Sequence, residues 1–235
     1  MEVELWNVLA RRAGVTLSTQ QHELLSRYID LLIEANKTMN LTRIATRESA
    51  EVAHIGDALT LLPFLPKDKH RLADVGTGGG VPGIPLAIAR PDIHVTLIES
   101  TKKKADFLRR VADTLPLLNL NVVAQRAEEA GIDALRESFD VVTARAVGEL
   151  VWLAEWCLPL AKKGGKVLAM KGAKITEELP LAKKAIFILG GIDPIVHPVQ
   201  LPGAEHHVIV EIRKTGITKK GFPRAASVAK GKPLA

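Results

Sequence analysis

The chain has 235 residues, 47% hydrophobic and 25% charged, the balance of a folded globular protein with room for one good core and at most a small subdomain. No run of about 18 apolar residues offers a membrane span. The acidic start M-E-V-E-L-W does not read as a signal peptide and the lone Cys157 excludes an intrachain disulfide, so the cytoplasm is the expected compartment. The net charge of +6 is concentrated in one place. Seven Lys and Arg and no Asp or Glu lie between Arg213 and Ala235, which leaves the first 212 residues close to neutral.

Residues 1–66 carry helical signals and read as a helical N-terminal extension. Val3, Trp6, Leu9, Ala10 and Ala13 share one helix face, with Gly14 as a stop. Ser18 and Gln21 form a capping-box pattern ahead of Leu24, Leu25, Tyr28, Ile29, Leu32 and Ala35. Asn36 and Asn40 fit turn and cap positions. Val52, Ile55, Leu59 and Leu62 mark a third helix ended by Pro63 and Pro66, and His54 and Asp57, three apart on its face, are positioned to hydrogen-bond each other.

From 67 to 213 the pattern changes to short apolar runs alternating with helix-length amphipathic stretches. Strands are expected over 72–75, 94–99, 121–125, 139–144, 166–170, 191–198 and 207–213, and helices near 85–89, 102–115, 149–160 and 176–189. Such alternation implies right-handed crossovers and an α/β, doubly wound, mostly parallel seven-stranded sheet. The last two runs are too close for a crossover helix, so they should pair antiparallel at one edge. Residues 214–235 read as a basic flexible tail, a candidate arm for nucleic-acid phosphate.

The segment L-A-D-V-G-T-G-G-G-V-P-G-I (72–84) ends a strand on Asp74 and Val75 and then places five glycines in eight positions before a helix start. Glycines let backbone approach a ligand closely, and helix-start N–H groups receive its polar atoms. Gly78-x-Gly80-x-x-Gly83 satisfies a dinucleotide fingerprint, so a nicotinamide-dependent oxidoreductase is one reading. Glu99, closing the second strand, is placed to accept both hydroxyls of an adenosine ribose, and Ala127-Glu128 after the third strand is placed to read an adenine edge. Three such elements bind an adenosine, a moiety that NAD and S-adenosylmethionine share.

D-V-G-T-G-G-G-V-P-G-I-P-L resembles the first motif of the RsmG (GidB) family of bacterial 16S ribosomal RNA guanine-N7 methyltransferases. Segments resembling the same family follow in order: N-K-T-M-N-L-T-R-I (36–44), H-I-G-D-A-L (54–59), R-A-E-E (126–129), F-D-V-V-T-A-R-A (139–146), M-K-G (170–172) and the tail P-R…K-G-K-P-L. The resemblance covers nearly the whole chain. It implies a class I S-adenosylmethionine-dependent methyltransferase fold with the last strand antiparallel, and S-adenosyl-L-methionine as donor. It further implies transfer to N7 of a guanine in the decoding-region stem-loop of 16S ribosomal RNA or of a small-subunit precursor; a monomer without a membrane partner is expected. By position, the donor contacts implied are Gly76, Gly78, Val81, Glu99, Ser100, Thr101, Ala127, Glu128 and Arg145. One departure is Gly80, the third glycine of T-G-G-G, where many members carry proline; it is expected to loosen the turn slightly.

Arg145 after the fourth strand and Lys171 at the end of the fifth are the candidate catalytic residues, able to stack on a base, hold phosphate or brace the donor site. No metal site is expected. Attack by the N7 lone pair needs no general base, and none is evident; Asp74 and other acidic groups near the sulfonium are candidates for easing the movement of its charge. Thr143-Ala144-Arg145-Ala146 replaces the Asn/Asp-Pro-Pro-aromatic turn common in enzymes that methylate exocyclic amines. Cys157, inside an apolar helical stretch, reads as a buried thiol and not a nucleophile. Lys102, Lys103, Lys104, Arg109 and Arg110 form either an RNA surface or a solvated helix face. Deleting 216–235 is expected to weaken RNA affinity and to leave donor affinity alone. A non-catalytic RNA-binding ribosome assembly factor is the remaining alternative.

Overall fold

The computed structural model describes residues 2–44 and 46–234. Ten α-helices, one π-helical turn, one 3-10 turn and seven strands occur among them. Helix α1 spans Glu2–Arg11; the side chain of Val3, expected on its apolar face, lies outside the described residues. Helix α2 spans Thr19–Met39 and starts on the capping box read from the sequence. The Ser18 hydroxyl accepts from the Gln21 N–H at 3.2 Å, and the Gln21 side chain accepts from the Ser18 N–H at 2.8 Å. The helix ends where Asn40 turns left-handed, and the Asn36 side chain accepts from the Thr42 N–H at 2.9 Å.

The third predicted helix is broken into parts. Helix α3 (Arg47–Ala50) runs into a π-helical turn over Glu51–Gly56, then α4 (Asp57–Leu59), and Pro63 falls inside a final 3-10 turn over Leu62–Phe64. Apolar spacing alone does not distinguish a π turn from an α turn, because the inserted residue shifts the stripe without ending it.

The seven strands are β1 (Arg71–Val75), β2 (His94–Ile98), β3 (Leu120–Val123), β4 (Phe139–Arg145), β5 (Ala161–Lys171), β6 (Ile195–Pro198) and β7 (Val208–Arg213). They form one sheet in the order β3-β2-β1-β4-β5-β7-β6, with β7 antiparallel to both neighbours. Between the strands lie α5 (Gly83–Ala89), α6 (Lys102–Thr114), α7 (Ala127–Ala130), α8 (Leu150–Cys157) and α9 (Ile175–Ile188). The expected doubly wound α/β sheet with its last strand reversed is therefore present. Two strands differ in extent by more than two residues at one end. β5 begins five residues early, through Lys162, Lys163, Gly164 and Gly165, a polar stretch without a strand signature. β6 begins at Ile195 instead of Gly191 because Pro194, just ahead of it, has no N–H for a ladder.

Strand residues alternate between two cores. Leu72, Val141, Leu168 and Ile209 face the N-terminal helices, α5 and α6, whereas Ala73, Val142, Val167 and Val210 face α8 and α9. The N-terminal helices thus close one face of the sheet. Trp6 is buried and donates its indole N–H to the Glu51 carbonyl at 3.0 Å, and Gln21 caps the end of α5 by donating to the Ile88 and Ala89 carbonyls. None of the helices described is long and apolar enough to cross a membrane.

The expectation of a flexible tail is corrected. Lys214 is 1% exposed and donates to Glu137 at 2.8 Å and to the Leu158 and Ala161 carbonyls at 2.7 Å each. Arg136 donates to the Thr218 and Phe222 carbonyls, Arg224 pairs with the buried Glu155, and helix α10 (Ala226–Gly231) follows against α8. Polar composition suggested disorder, but these hydrogen-bond partners lie 53 to 86 residues away in sequence and leave no local signature.

Candidate functional site

The strand order reverses between β1 and β4, and ligands of doubly wound sheets bind beyond the carboxyl ends of the strands at that point. Two clefts open there. One, of about 200 Å³, is lined by Gly76 after β1, Ser100 after β2, Gln125 to Glu128 after β3, Val147 after β4, and Trp156, Ala226 and Lys230. The other, of about 410 Å³, is lined by Asp57, Arg145, Met170, Lys171, Glu178 and His207 among others. The loop after β4 divides them, giving Arg145 and Ala146 to the larger cleft and Val147 to the smaller.

The glycine turn is held from both sides. Gly76 has φ +65°, and a Cβ there would lie 2.9 Å from the Val147 side chain, narrowing the cleft that both residues line. Gly80 takes φ +104°, which proline cannot adopt, and its N–H donates to the Thr77 carbonyl at 2.9 Å. The turn is therefore closed at Gly80 and not loosened as expected. From the N-terminal helices, the Tyr28 hydroxyl donates to the Gly79 carbonyl at 2.9 Å.

Asp74 is fully buried beneath this turn. One carboxylate oxygen accepts from the Thr77 hydroxyl at 2.6 Å and the Gly83 N–H at 2.8 Å; the other has no hydrogen-bond partner among the described residues. Burial pushes its pKa up to about 7, against the opposing pull of Thr77, Gly83 and Arg145.

Glu99 is 6% exposed and does not line the cleft. Its oxygens accept from the Gly78 N–H at 3.0 Å and the Thr101 N–H at 2.7 Å, so the carboxylate ties the turn after β1 to the turn after β2. Val81 packs into the apolar core. Of the donor contacts expected from the sequence, Gly76, Ser100, Ala127 and Glu128 come together in the smaller cleft. Gly78, Val81, Glu99 and Thr101 stand behind them, and Arg145 faces the other way.

Arg145 is the hub of a network between the sheet and the N-terminal segment. Its guanidinium donates to the Ala53 carbonyl at 2.8 Å, to Asp57 at 3.0 Å and to His54 Nδ1 at 3.1 Å. His54 Nε2 lies 3.1 Å from the Thr42 hydroxyl, so with Nδ1 accepting, its proton is on Nε2. Burial first, and the Arg145 charge second, hold the His54 pKa down to about 4. The second oxygen of Asp57 meets His207 Nδ1 at 3.2 Å, and this contact raises the His207 pKa. The expected bond between His54 and Asp57 is thus replaced by a shared contact with Arg145. The π turn carries all three acceptors from the N-terminal segment or leads directly into them.

Lys171 is also engaged, 2.5 Å from Glu178 and 2.7 Å from the Gly148 carbonyl to which it donates. Glu178 further accepts from the Leu150 N–H at 2.7 Å, which anchors the start of α8. In the basic run, Lys102 and Arg109 pair with Asp106 on an exposed face, the arrangement of a solvated helix. Cys157 is buried, and burial pushes its thiol pKa well up, consistent with an inert thiol. Sequence reasoning did not place Val147, Trp156, Ala226 or Lys230 at this cleft; the first three carry no motif, and Lys230, which opens K-G-K-P-L, reads as part of an RNA arm. Among the described residues no group of three or more His, Cys, Asp or Glu is arranged to hold a metal ion.

Residues 21–208 match the family described as rRNA small subunit methyltransferase G, GidB. The ribosomal RNA small subunit methyltransferase G of Leuconostoc citreum is 40% identical over 239 residues, covering 100% of both chains. That of Pelotomaculum thermopropionicum is 44% identical over 229 residues, covering 96% of this chain and 95% of its own. Among solved structures, a precorrin-6y C5,15-methyltransferase from Geobacter metallireducens aligns with TM-score 0.50 at 17% identity over 68% of this chain and 87% of its own. A 16S rRNA (adenine(1408)-N(1))-methyltransferase variant from Catenulisporales acidiphilia aligns with TM-score 0.50 at 18% identity, over 64% and 87%. These last two likenesses concern the fold.

Proposed function

This chain belongs to the rRNA small subunit methyltransferase G family, and from that membership we propose that it moves a methyl group from S-adenosylmethionine to N7 of a guanine in 16S ribosomal RNA. The observation that carries the donor assignment is the cleft where Gly76, Ser100, Ala127 and Glu128 converge from the ends of β1, β2 and β3. Its residues fit an adenosine. Gly76 leaves open the space that a Cβ would fill against Val147, and Glu128, with its side chain 12% exposed, supplies an acceptor beside the N–H groups that open α7. Neither the nicotinamide-dependent oxidoreductase nor the non-catalytic assembly factor is favoured by the relatives.

When bound, S-adenosylmethionine supplies an electrophilic methyl group. The protein's part is to bring the acceptor nitrogen in line with it and to tolerate the positive charge that moves onto the purine. The larger cleft is the proposed base site, since only the loop from Arg145 to Gly148 separates it from the donor cleft. Asp57 and Glu178 line that cleft, each paired with a cation, Arg145 and Lys171 respectively. Nucleophilic N7 has no proton to lose, so no base is required of either.

Arg145 and Lys171 are proposed to act as positioning residues. Their charges are already met by Asp57 and Glu178, and what they hold in place is the wall between the clefts. Arg145 fixes the end of β4 to the π turn, and Lys171 fixes the Gly148 carbonyl. The protein is proposed to work in the bacterial cytoplasm on small-subunit RNA. The test is transfer of labelled methyl groups from S-adenosylmethionine to 16S rRNA lacking this modification, followed by mapping of the modified atom. Label on a guanine N7 supports the reading, and label on an exocyclic amine or a ring carbon overturns it.

A further inference from the structure

The segment after β7 crosses the protein to the donor cleft and ends there. Arg136 holds its path by donating to the Thr218 carbonyl at 2.7 Å and the Phe222 carbonyl at 2.6 Å. Pro223 then packs against Gly131, where a Cβ would come within 3.1 Å of its ring, so this segment bears on the turn that ends α7. Arg224 is clamped to Glu155 of α8 through two side-chain bonds of 2.7 Å and a backbone bond of 2.9 Å, and Glu155 is 1% exposed. Helix α10 follows directly, and two of its residues, Ala226 and Lys230, line the smaller cleft together with Gly76 and Ser100. The Lys230 ammonium lies 5.6 Å from the Trp156 ring centre and 5.7 Å from that of Trp152, a cation–π contact that fixes the lysine at the cleft edge.

We propose that helix α10 is the outer wall of the donor cleft, closing over the nucleoside end of S-adenosylmethionine and held by the Arg224–Glu155 clamp and the Lys230–tryptophan contact. The proposal rests on the reading of that cleft as the donor site. It reverses the expectation drawn from composition, that the basic tail serves RNA and leaves the donor untouched. The segment joins the two elements that flank the cleft, α7 after β3 and α8 after β4, so it both covers a ligand face and fixes the width of the cleft. A wall placed at the nucleoside end serves adenosine and S-adenosylmethionine alike, because both present the same group there.

The experiment compares the full chain, a chain ending at Ala225, and the full chain with Ala226→Trp. The truncation keeps the Arg224–Glu155 clamp, and the point variant keeps every residue of the helix except one. S-adenosylmethionine and adenosine are titrated calorimetrically, and 16S rRNA binding is followed against salt. Both altered proteins should bind both small ligands about tenfold or more weakly, in the same ratio for each, while the slope of RNA affinity with salt stays unchanged within error. A helix that merely stabilised the fold would lower the melting temperature of the free protein without this shared loss at unchanged fold.

Full donor affinity in both altered proteins overturns the proposal and leaves the donor site standing. A flattened salt slope with unchanged donor affinity overturns it in favour of an RNA arm. A full chain that binds neither small ligand overturns the donor assignment itself, and the proposal with it.

Discussion

Replacing Gly76 with alanine perturbs the turn at a position where conformation and space both favour glycine. At φ +65° an L-residue pays about 1–2 kcal/mol for the left-handed conformation. The new Cβ would stand 2.9 Å from one Val147 methyl and 3.4 Å from the other, inside the 3.5–4.0 Å of roughly optimal carbon contact, and overpacking of this kind costs about 1–3 kcal/mol. The two effects together predict a loss of about 2–5 kcal/mol, no more than the lower end of the roughly 5–15 kcal/mol stability typical of a folded protein, so the variant should still fold. Relief requires Val147 to move into the cleft it lines with Gly76, which couples the strain to the ligand. Urea unfolding reads the stability, and calorimetric titration with S-adenosylmethionine reads the cleft. A variant destabilised by this amount that still binds the donor with full affinity would refute the placement of the donor beside Gly76. One with unchanged stability would refute the strain argument.

Removing the Arg224 guanidinium by Arg224→Ala leaves the Glu155 carboxylate buried without its clamp and should cost about 3 kcal/mol in urea unfolding, whereas Glu155→Leu with Arg224→Leu together should cost clearly less. Asp74→Asn should stabilise the protein above pH 7 and have no such effect near pH 4. The native carboxyl keeps its proton up to about 7 while the unfolded chain releases it near 3.8, so this group's penalty grows as pH rises through that window. His54 works in the opposite sense. It is neutral when folded down to about pH 4 against 6.5 unfolded, so its stabilisation is full above 6.5 and is lost as pH falls, and proton NMR should find its ring uncharged at pH 5.5. Lys171→Met should lower the methylation rate constant about tenfold or more with donor affinity unchanged, because the Gly148 carbonyl and Glu178 lose their common anchor; equal loss in both would place Lys171 in the donor cleft instead.

Most of the fold was legible from periodicity. The seven strands, the Ser18–Gln21 capping box and the Asn36 and Asn40 turn positions are local features, and local spacing carries them. The glycine turn and the residues that line the cleft proposed for the donor, Ser100, Ala127 and Glu128, were legible for the same reason, since each lies just beyond a strand already recognised. The orientation of Arg145 was not, because its partners Ala53, His54 and Asp57 lie 88 to 92 residues upstream and are presented by a π turn. Glu99 pointed correctly to the second strand's end, yet its oxygens hold the Gly78 and Thr101 amides, an engagement set by how two loops meet in space. The tail misled most. Gly, Pro and Lys give it the composition of a disordered arm, and its order depends on Glu137, Glu155 and Arg136, which are remote in sequence.

The central claim is a specific methyl transfer, and mapping the product tests it most directly. Purified protein, labelled S-adenosylmethionine and 16S rRNA lacking the modification should yield label on N7 of a single guanine, and Gly76→Ala should reduce that yield. Label at another atom, or the same yield from the Gly76 variant, would contradict the account.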